Sequence, residues 1–194
     1  MRIGLDIDNV ISNFNDELLK EYIEHDKILR NTGIIDENAY NVTRGMFDRT
    51  KEENDDFYYN NIERIAKKLK PLPQSAEIIR RLRKDGNEIY IISSRDNGEY
   101  SNPQEMTENW LRDNKIMYDK LILTDKGEKG KICKENNIDI MIDDSINNCR
   151  DIVEVGIKVF LMETRFNKQT TEFEKVSNWE EIYDKLKEMY VKKN

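Results

Sequence analysis

Five short apolar segments alternate with longer amphipathic segments along most of the chain. The apolar segments are rich in Ile, Val, Leu and Tyr, and they read RIGLDI (2–7), EIYIIS (88–93), KLILT (120–124), IDIMID (138–143) and IKVFLM (157–162). Near-continuous apolar runs are typical of strands that are covered on both faces. Because strands that alternate with helices pair in parallel through right-handed crossovers, the pattern predicts an open α/β sheet of about five strands.

Amphipathic segments with helix signals fill the intervals between the later strands. The expected helices lie at 74–85, 101–114, 128–137, 145–156 and 177–190. The first of them ends at Gly86, and Pro103 stands at a first-turn position of the second. Ser177 and Glu180 have the spacing of a capping box, which predicts the start of the last helix.

One interval is far longer than a single crossover needs. About eighty residues separate the first strand from the second. Within this interval, residues 14–29 and 51–70 place apolar side chains at helical spacing, and a Pro-Leu-Pro stretch then stops the second helix. We therefore expect residues 14–72 to form a helical cap domain that is inserted over the sheet, with residues 1–13 and 73–194 as the core.

The charge balance argues against one class of partner. The net charge is -7, whereas tight binding to a polynucleotide backbone favours a basic face. A small phosphorylated substrate stays compatible, because a metal ion and one lysine can neutralise its charge locally. The first residues show no apolar signal region and no run approaches the length of a membrane span. We expect a cytoplasmic protein in which Cys133 and Cys149 are reduced and packed as small hydrophobes.

Two aspartates stand at the end of the first predicted strand. Asp6 and Asp8 are separated only by Ile7, so their side chains point to the same side of a strand and converge as it ends. In open α/β sheets, ligands bind at the carboxyl ends of the strands. Converging carboxylates repel each other unless a cation or a shared proton relieves them, and hard oxygen ligands suit Mg²⁺.

Polar residues with related chemistry follow the other strands. Ser93 and Ser94 end the second strand, where hydroxyl groups can donate to a phosphate. Asp143 and Asp144 end the fourth strand, and the preceding DKGEKGK stretch (125–131) supplies lysines near a helix start. Acids, a hydroxyl and a lysine at successive strand ends indicate one shared site for phosphate chemistry.

This ordered set resembles the haloacid dehalogenase-like hydrolases in their phosphatase branch. The family pattern is DxDx[TV], then Ser or Thr, then Lys, then a paired acid, and this chain shows DIDNV (6–10), SS (93–94), the lysines and DDS (143–145). The longer stretches PLPQSAEIIRRLRKDGNEIYIISSR, IDIMIDDS and NWEEI are similar to the 5′(3′)-deoxyribonucleotidases and their bacterial nucleotidase relatives. The resemblance implies a Rossmann-like core with a helical cap inserted after the first motif.

The resemblance also implies hydrolysis through an aspartyl-phosphate. Asp6 would be the nucleophile, and Asp8 would protonate the leaving alcohol and then take a proton from the attacking water. Mg²⁺ would be held by the Asp6 carboxylate, the Asp8 backbone carbonyl and Asp144, with Asp143 as the supporting acid. Ser93 would bind a phosphate oxygen, with the neighbouring Ser94 as the next choice.

The sequence offers three candidates for the catalytic lysine. Family spacing from the paired acid points to Lys129, whereas counting from the end of the third strand points to Lys126. The order of preference is Lys129, Lys126 and Lys131. The role of this lysine would be to offset negative charge on the nucleophile and on the phosphoryl group.

Substrate specificity is expected to come from the cap. A nucleobase needs an aromatic or apolar face, and the available aromatic residues are Phe14, Phe47, Phe57, Tyr58 and Tyr59. Phe14 and the DDFYY segment are the first choices, although aromatics at helical spacing more often pack in a core. Arg95 is a further candidate for a polar or anionic substrate group, with a surface salt bridge as its alternative role.

The predicted function is Mg²⁺-dependent hydrolysis of (deoxy)nucleoside monophosphates. The alternative within enzymes is the same chemistry on another small phosphate, such as a sugar phosphate. A phosphate-binding or regulatory module without turnover is disfavoured, because a mere binder needs no general acid at Asp8. A bacterial receiver domain places its acids in a different strand order, and a nucleic-acid 3′-phosphatase favours a basic groove.

Overall fold

The sheet has six parallel strands in the part of the chain that the structure describes. The computed structural model describes residues 1–95, 98–124 and 127–191. Its strands are β1 (Arg2–Leu5), β2 (Glu88–Ser93), β3 (Lys120–Leu123), β4 (Ile140–Asp143), β5 (Lys158–Met162) and β6 (Lys175–Val176). They are arranged in the order β3-β2-β1-β4-β5-β6, and every pairing is parallel. The predicted open α/β sheet is confirmed.

The described ranges contain seven helices, six of them between strands and the seventh after β6. They are α1 (Phe14–Leu29), α2 (Lys51–Ala66), α3 (Ser75–Lys84), α4 (Pro103–Asp113), α5 (Lys129–Glu135), α6 (Ile146–Glu154) and α7 (Trp179–Val191). Pro103 begins α4 as predicted, with the Asn102 side chain accepting from the Glu105 N–H at 3.2 Å. The crossovers from β1 through to β5 each contain at least one helix, and such helices cover the faces of a parallel sheet.

The predicted start of the last helix is displaced by one residue. The Asn178 side chain, rather than Ser177, accepts the Glu181 backbone N–H at 2.9 Å. The Glu181 carboxylate in turn accepts from both the N–H and the hydroxyl of Ser177, each at 2.8 Å. Glu180 has a different partner, the Gln74 amide at 2.7 Å. Two adjacent residues can both cap a helix, so spacing alone does not choose between them.

Several strand bounds differ from the sequence pattern by one or two residues, and two of the differences, at the sixth strand and the first, have a clear physical reason. The sixth strand is missed because it has only two residues and lies in a charged stretch without an apolar run. The first strand ends at Leu5 rather than at Ile7. The Ile7 carbonyl belongs to a tight turn rather than to the sheet. It accepts from the N–H groups of Ile11 and Ser12 at 2.9 Å each. The turn therefore begins immediately after Asp6.

Residues 14–72, which lie between β1 and α3, contain two helices and an irregular segment. Helices α1 and α2 match the predicted apolar spacing, but residues 30–50 form turns and isolated bridges rather than helix. Gly33 and Gly45 both have positive φ within that segment, which interrupts helical geometry. The apolar faces of this interval enclose their own cluster of buried residues, centred on Tyr22, separate from the main core beneath the sheet.

The two ends of the 14–72 interval lie side by side and are hydrogen-bonded to each other. Asn13 N–H donates to the Lys70 carbonyl at 3.0 Å, and Lys70 N–H donates to the Asn13 side chain at 2.7 Å. Leu72 N–H donates to the Ile11 carbonyl at 2.7 Å. Two buried indoles anchor the same region, because Trp110 donates to the Leu69 carbonyl and Trp179 to the Val10 carbonyl, each at 2.9 Å. Among the described residues, no helix is long and apolar enough to cross a membrane.

Candidate active site

Strand register brings the predicted site residues to one edge of the sheet. Leu5 is paired with Ile91 on one side and with Ile142 on the other. The residues that follow these three positions therefore emerge together at the carboxyl ends of β1, β2 and β4. Carboxylate oxygens of Asp6, Asp143 and Asp144 lie within 4.8 Å of one another. The structure thus assembles three of the four predicted acids into one cluster.

Lys129 bridges two of these acids. Its Nζ donates to Asp6 Oδ1 at 2.7 Å and to Asp143 Oδ2 at 2.5 Å, and its side chain is 1% exposed. Lys131 is exposed and Lys126 lies outside the described residues. Of the two lysines that can be compared, Lys129 alone reaches the acids.

The position of Lys129 depends on a close approach of α5 and α6. The Gly130 N–H donates to Asp151 Oδ2 at 2.6 Å. A Cβ atom on Gly130 would lie 2.3 Å from the Asp151 backbone oxygen, so no larger residue fits without moving a helix. Glycine at this position brings the first turn of α5 against α6 and directs Lys129 inward.

The two acids of the second pair differ in how fully they are bonded. Asp143 Oδ1 accepts from the Ser145 N–H at 2.9 Å and from Asn148 at 3.1 Å, while Lys129 occupies Oδ2. Asp144 Oδ2 accepts from the side chain of Asn9 at 2.9 Å. Asp143 therefore orients the lysine, whereas the Asp144 carboxylate keeps capacity to bind a ligand.

Three asparagines of the site were missed from the sequence. Besides Asn9 and Asn148, the buried Asn167 donates to the carbonyls of Asp144 and Met162, at 2.9 and 2.7 Å. Asn9 stands inside the DIDNV motif, and this position is the one sequence signal that could have identified it. Asn148 and Asn167 have no such signal, because asparagine is common in caps and loops.

The electrostatics of the cluster favour a bound cation. Burial raises the pKa of Asp6 to about 6, although Lys129 opposes this shift. Burial, Asp143 and Asp6 raise the pKa of Asp144 well above its usual range. Burial alone lowers the pKa of Lys129, but Asp143 and Asp6 outweigh it and raise that pKa. Hard oxygen ligands with excess negative charge fit Mg²⁺, which the residues present are suited to hold.

The fourth acid, Asp8, is paired with a buried arginine. Arg95 Nη2 donates to Asp8 Oδ1 at 2.6 Å and Nε approaches Oδ2 at 3.3 Å, while Nη1 is 3.5 Å from Thr107 Oγ1. Arg95 is 2% exposed. Burial lowers the pKa of the guanidinium, but Asp8 outweighs it and raises that pKa above its ordinary value. The sequence offers Arg95 either as a contact for a substrate group or as part of a surface salt bridge, and the structure instead pairs its buried guanidinium with the Asp8 carboxylate.

The two serines at the end of β2 are both shielded from solvent. Ser93 is 1% exposed, and its carbonyl accepts from the Thr124 N–H at 3.0 Å. The Ser94 hydroxyl is buried and has no hydrogen-bond partner in the part of the chain that the structure describes. Because buried hydroxyls are normally paired, Ser94 retains a donor that a ligand oxygen can satisfy.

Two cavities that share lining residues lie near Asp144 and helices α1 and α2. A cavity of about 160 Å³ is lined by Asp144 and by Asn15 and Asn41. Asn15 and Asn41 also line a cavity of about 320 Å³, whose aromatic residues are Phe14, Tyr58 and Tyr59. We call the larger one the aromatic cavity. It brings the predicted Phe14 together with two residues of the DDFYY segment.

The other aromatic candidates pack within the cluster of the interval. Phe57 is 8% exposed, and its ring lies 4.9 Å from the Tyr22 ring and 4.2 Å from that of His25. Phe47 is likewise buried, 5.8 Å from Tyr22. Neither residue lines the aromatic cavity. Both instead pack in the buried cluster around Tyr22 and stabilise the fold of the 14–72 interval.

Sequence comparison finds a nucleotidase family along nearly the whole chain. A family model described as 5′ nucleotidase, deoxy (pyrimidine), cytosolic type C protein matches residues 1–193. A nucleotidase of Clostridium acetobutylicum is 24% identical over 143 residues, which are 73% of this chain and 72% of that protein.

Structure comparison finds the haloacid dehalogenase-like fold. A hydrolase of that family from Streptococcus pneumoniae has a TM-score of 0.66 at 12% identity, covering 95% of this chain and 97% of the other. CbbY from Rhodobacter sphaeroides, in complex with xylulose-1,5-bisphosphate, has a TM-score of 0.55 at 9% identity, covering 92% and 94%. At such identities the likeness shows the fold alone.

Proposed function

Because the chain belongs to the 5′ nucleotidase, deoxy (pyrimidine), cytosolic type C family, we propose that it hydrolyses (deoxy)nucleoside monophosphates to nucleoside and phosphate. Family and fold make it a phosphatase-type hydrolase with a haloacid dehalogenase-like core. The observation that supports the mechanism is the cluster in which Lys129 bridges Asp6 and Asp143 beside Asp144.

Asp6 acts as the nucleophile in this proposal. Its carboxylate attacks phosphorus, so a bond forms between Asp6 and the phosphoryl group while the ester bond to the leaving alcohol breaks. Lys129 fixes the rotation of the carboxylate through Oδ1 and offsets the charge that the phosphoryl group adds. The product of this first step is an aspartyl-phosphate.

Asp8 moves the protons of both steps. It gives a proton to the departing nucleoside oxygen, and it takes one from the water that then hydrolyses the aspartyl-phosphate. Arg95, and Ser12 at 3.4 Å from Oδ1, hold the carboxylate in place between these steps. Ser93 or Ser94 donates to an oxygen of the phosphoryl group.

Mg²⁺ is the proposed cofactor. The Asp6 and Asp144 carboxylates and the Asp8 backbone carbonyl would hold it, with Asp143 as the supporting acid. When bound, the ion supplies positive charge for the oxygens of the transferring phosphoryl group. Lys129 keeps the Asp6 carboxylate turned towards that group.

The aromatic cavity is the proposed place of the nucleoside. Phe14, Tyr58 and Tyr59 offer ring faces, and the smaller cavity, which shares Asn15 and Asn41 with the larger one, is lined by Asp144. In this proposal residues 14–72 act as a cap domain over a core formed by residues 1–13 and 73–194. Both cavities also have asparagine side chains that suit sugar hydroxyls, which keeps a sugar phosphate as the second candidate substrate.

Phosphate release from a substrate panel tests the proposal. The panel contains deoxy- and ribonucleoside monophosphates and sugar phosphates, each with Mg²⁺ and with EDTA. We expect metal-dependent release that is strongest on nucleotides and falls by at least ~10⁴-fold in Asp6→Asn. The control is Asp113→Asn, an acid on the surface at the end of α4. If phosphate were released from sugar phosphates as fast as from nucleotides, or faster, the proposed substrate class would be wrong. Full activity in Asp6→Asn would refute the mechanism.

A further inference from the structure

Asn9 connects the acid cluster to the first helix of the 14–72 interval. Its side-chain Nδ2 donates to Asp144 Oδ2 at 2.9 Å, and its Oδ1 accepts from the Asn15 N–H at 2.7 Å. An amide group is planar, so these two bonds on opposite sides fix its orientation. One side chain therefore contacts both a proposed metal ligand and the first turn of α1.

The contact at α1 takes the place of an ordinary helix cap. The first N–H groups of a helix have no partner inside the helix, and Asn15 is the second residue of α1. Asn13 stands at the capping position but makes no capping bond, because its side chain accepts from the Lys70 N–H at 2.7 Å. Asn9 satisfies the Asn15 N–H from outside the helix.

The contact at Asp144 restrains the carboxylate rather than the backbone. Asn167 already holds the Asp144 carbonyl at 2.9 Å. In the described ranges, Asn9 is the side chain that donates a hydrogen bond to the carboxylate of Asp144. Without it, that carboxylate is free to turn away from the neighbouring Asp6, whose charge repels it.

We propose that Asn9 is a positioning residue for the metal ligand Asp144 and that it couples metal binding to the first turn of α1. This inference rests on the proposed function in one respect, namely that Asp144 binds the cation. Partners that orient a metal ligand typically change metal affinity by about 10–100-fold when they are removed. Coupling between two sites is reciprocal, so ordering α1 also favours the metal.

Asn9→Gly separates this role from a structural one. Asn9 has φ +63°, a conformation that glycine adopts without strain, so the variant removes the side chain and leaves the turn intact. The matched control is Asn137→Gly, because Asn137 has φ +52° and is exposed after α5. The Kd for Mn²⁺ and for Mg²⁺ is measured calorimetrically without substrate, together with the metal-free Tm.

We expect the metal Kd to rise by about 10–100-fold in Asn9→Gly while the metal-free Tm stays within a few degrees. The Kd in Asn137→Gly stays unchanged. The Mg²⁺ concentration for half-maximal activity rises in parallel, whereas kcat at saturating Mg²⁺ stays within a few-fold of wild type. A simple loss of folded protein would instead lower kcat and Tm together.

Hydrogen exchange gives a second measurement, made on the wild-type protein and on Asn9→Gly. We expect Mg²⁺ alone to slow exchange in the first turn of α1, and Asn9→Gly to abolish that change. Equal metal affinity in wild type and Asn9→Gly, or unchanged exchange at α1, would overturn the inference and leave the proposed function standing. A wild-type protein that binds neither ion would overturn both, because Asp144 would then not be a metal ligand.

Discussion

The acid cluster and the aromatic cavity are adjacent, yet they are built in opposite ways. Around the acids, Lys129, Arg95 and Asp143 are almost fully buried, and their charged groups meet partners at fixed distances. Around the aromatic cavity, Tyr59 is 55% exposed and Arg44 is also exposed. The first region is buried and its charged groups are paired, whereas the second is open to solvent.

This difference separates the chemistry from the choice of substrate. Charges that are held in a dry site need no reorganisation during reaction, which is the main source of electrostatic catalysis. Residues that line an open cavity and are exposed to solvent can be substituted at small cost to the stability of the fold. We therefore expect substitutions at the acids to remove activity on every substrate, and substitutions at the cavity to change which substrate is preferred.

Among the substitutions that test this comparison, Lys129→Met should produce the largest effect, because it removes the cation of the buried acid cluster. Loss of Nζ leaves Asp6 and Asp143 buried without their cation, which we expect to lower the free energy of unfolding by about 3–5 kcal/mol. We expect kcat to fall by about 10²–10³-fold on all substrates. Urea unfolding and steady-state kinetics measure the two effects.

Lys131→Met is the matched control for that variant. Lys131 lies two residues further along α5 and is exposed, so the same chemical change there should leave both quantities unaffected. If Lys131→Met lost activity and Lys129→Met retained it, the assignment of the catalytic lysine would be wrong.

Tyr59→Ala should produce an intermediate effect that is confined to the open region. A ring that stacks on a base contributes about 1–3 kcal/mol, so we expect KM for a preferred nucleotide to rise by about 5- to 160-fold. Hydrolysis of a small phosphate without a ring, such as acetyl phosphate, should not change. Ile28→Ala serves as the control, because Ile28 is 84% exposed on α1 away from the cavity residues. Equal losses on both substrates would show that Tyr59 acts on the fold.

The smallest expected effect concerns the pairing of α1 with α2. Arg64 donates to both Glu21 oxygens, at 2.8 and 2.6 Å, and these bonds lower the pKa of Glu21 from 4.5 to about 2. Because the pKa is lower in the folded protein, the stabilisation is complete above about pH 4.5 and disappears as the pH falls towards 2. Solvent screening limits it to under about 1 kcal/mol.

Glu21→Gln tests this pairing by urea unfolding between pH 7 and pH 2. The difference from wild type should be largest at pH 7, shrink below pH 4.5 and weaken in high salt. Glu24→Gln, which affects an exposed pair within α1, is the control. A difference that grew as the pH fell would contradict the assigned direction of the pKa shift.

The predictable part of the site follows from local order along the chain. Asp6, Ser93 and Asp143 stand at the ends of apolar runs, and parallel strands place such ends at one edge. The helix starts were predicted within a few residues, because caps and apolar spacing act over one or two turns. The two-residue strand β6 and the irregular residues 30–50 were missed, since neither has a periodic signal.

By itself the sequence determined the open α/β sheet, the interval of helices after the first strand, and the set of acids at the strand ends. Only the tertiary structure decided which partners those acids have. Lys129 and its partner Asp6 are 123 positions apart in the sequence, and Arg95 and its partner Asp8 are 87 positions apart. Spacing along the chain favours Lys129 over Lys131, but only the close approach of α5 to α6 shows that the Lys129 ammonium group reaches the acids. The physical reason is that periodicity reports which face of an element is buried, whereas an ion pair depends on the packing of elements that are distant in sequence.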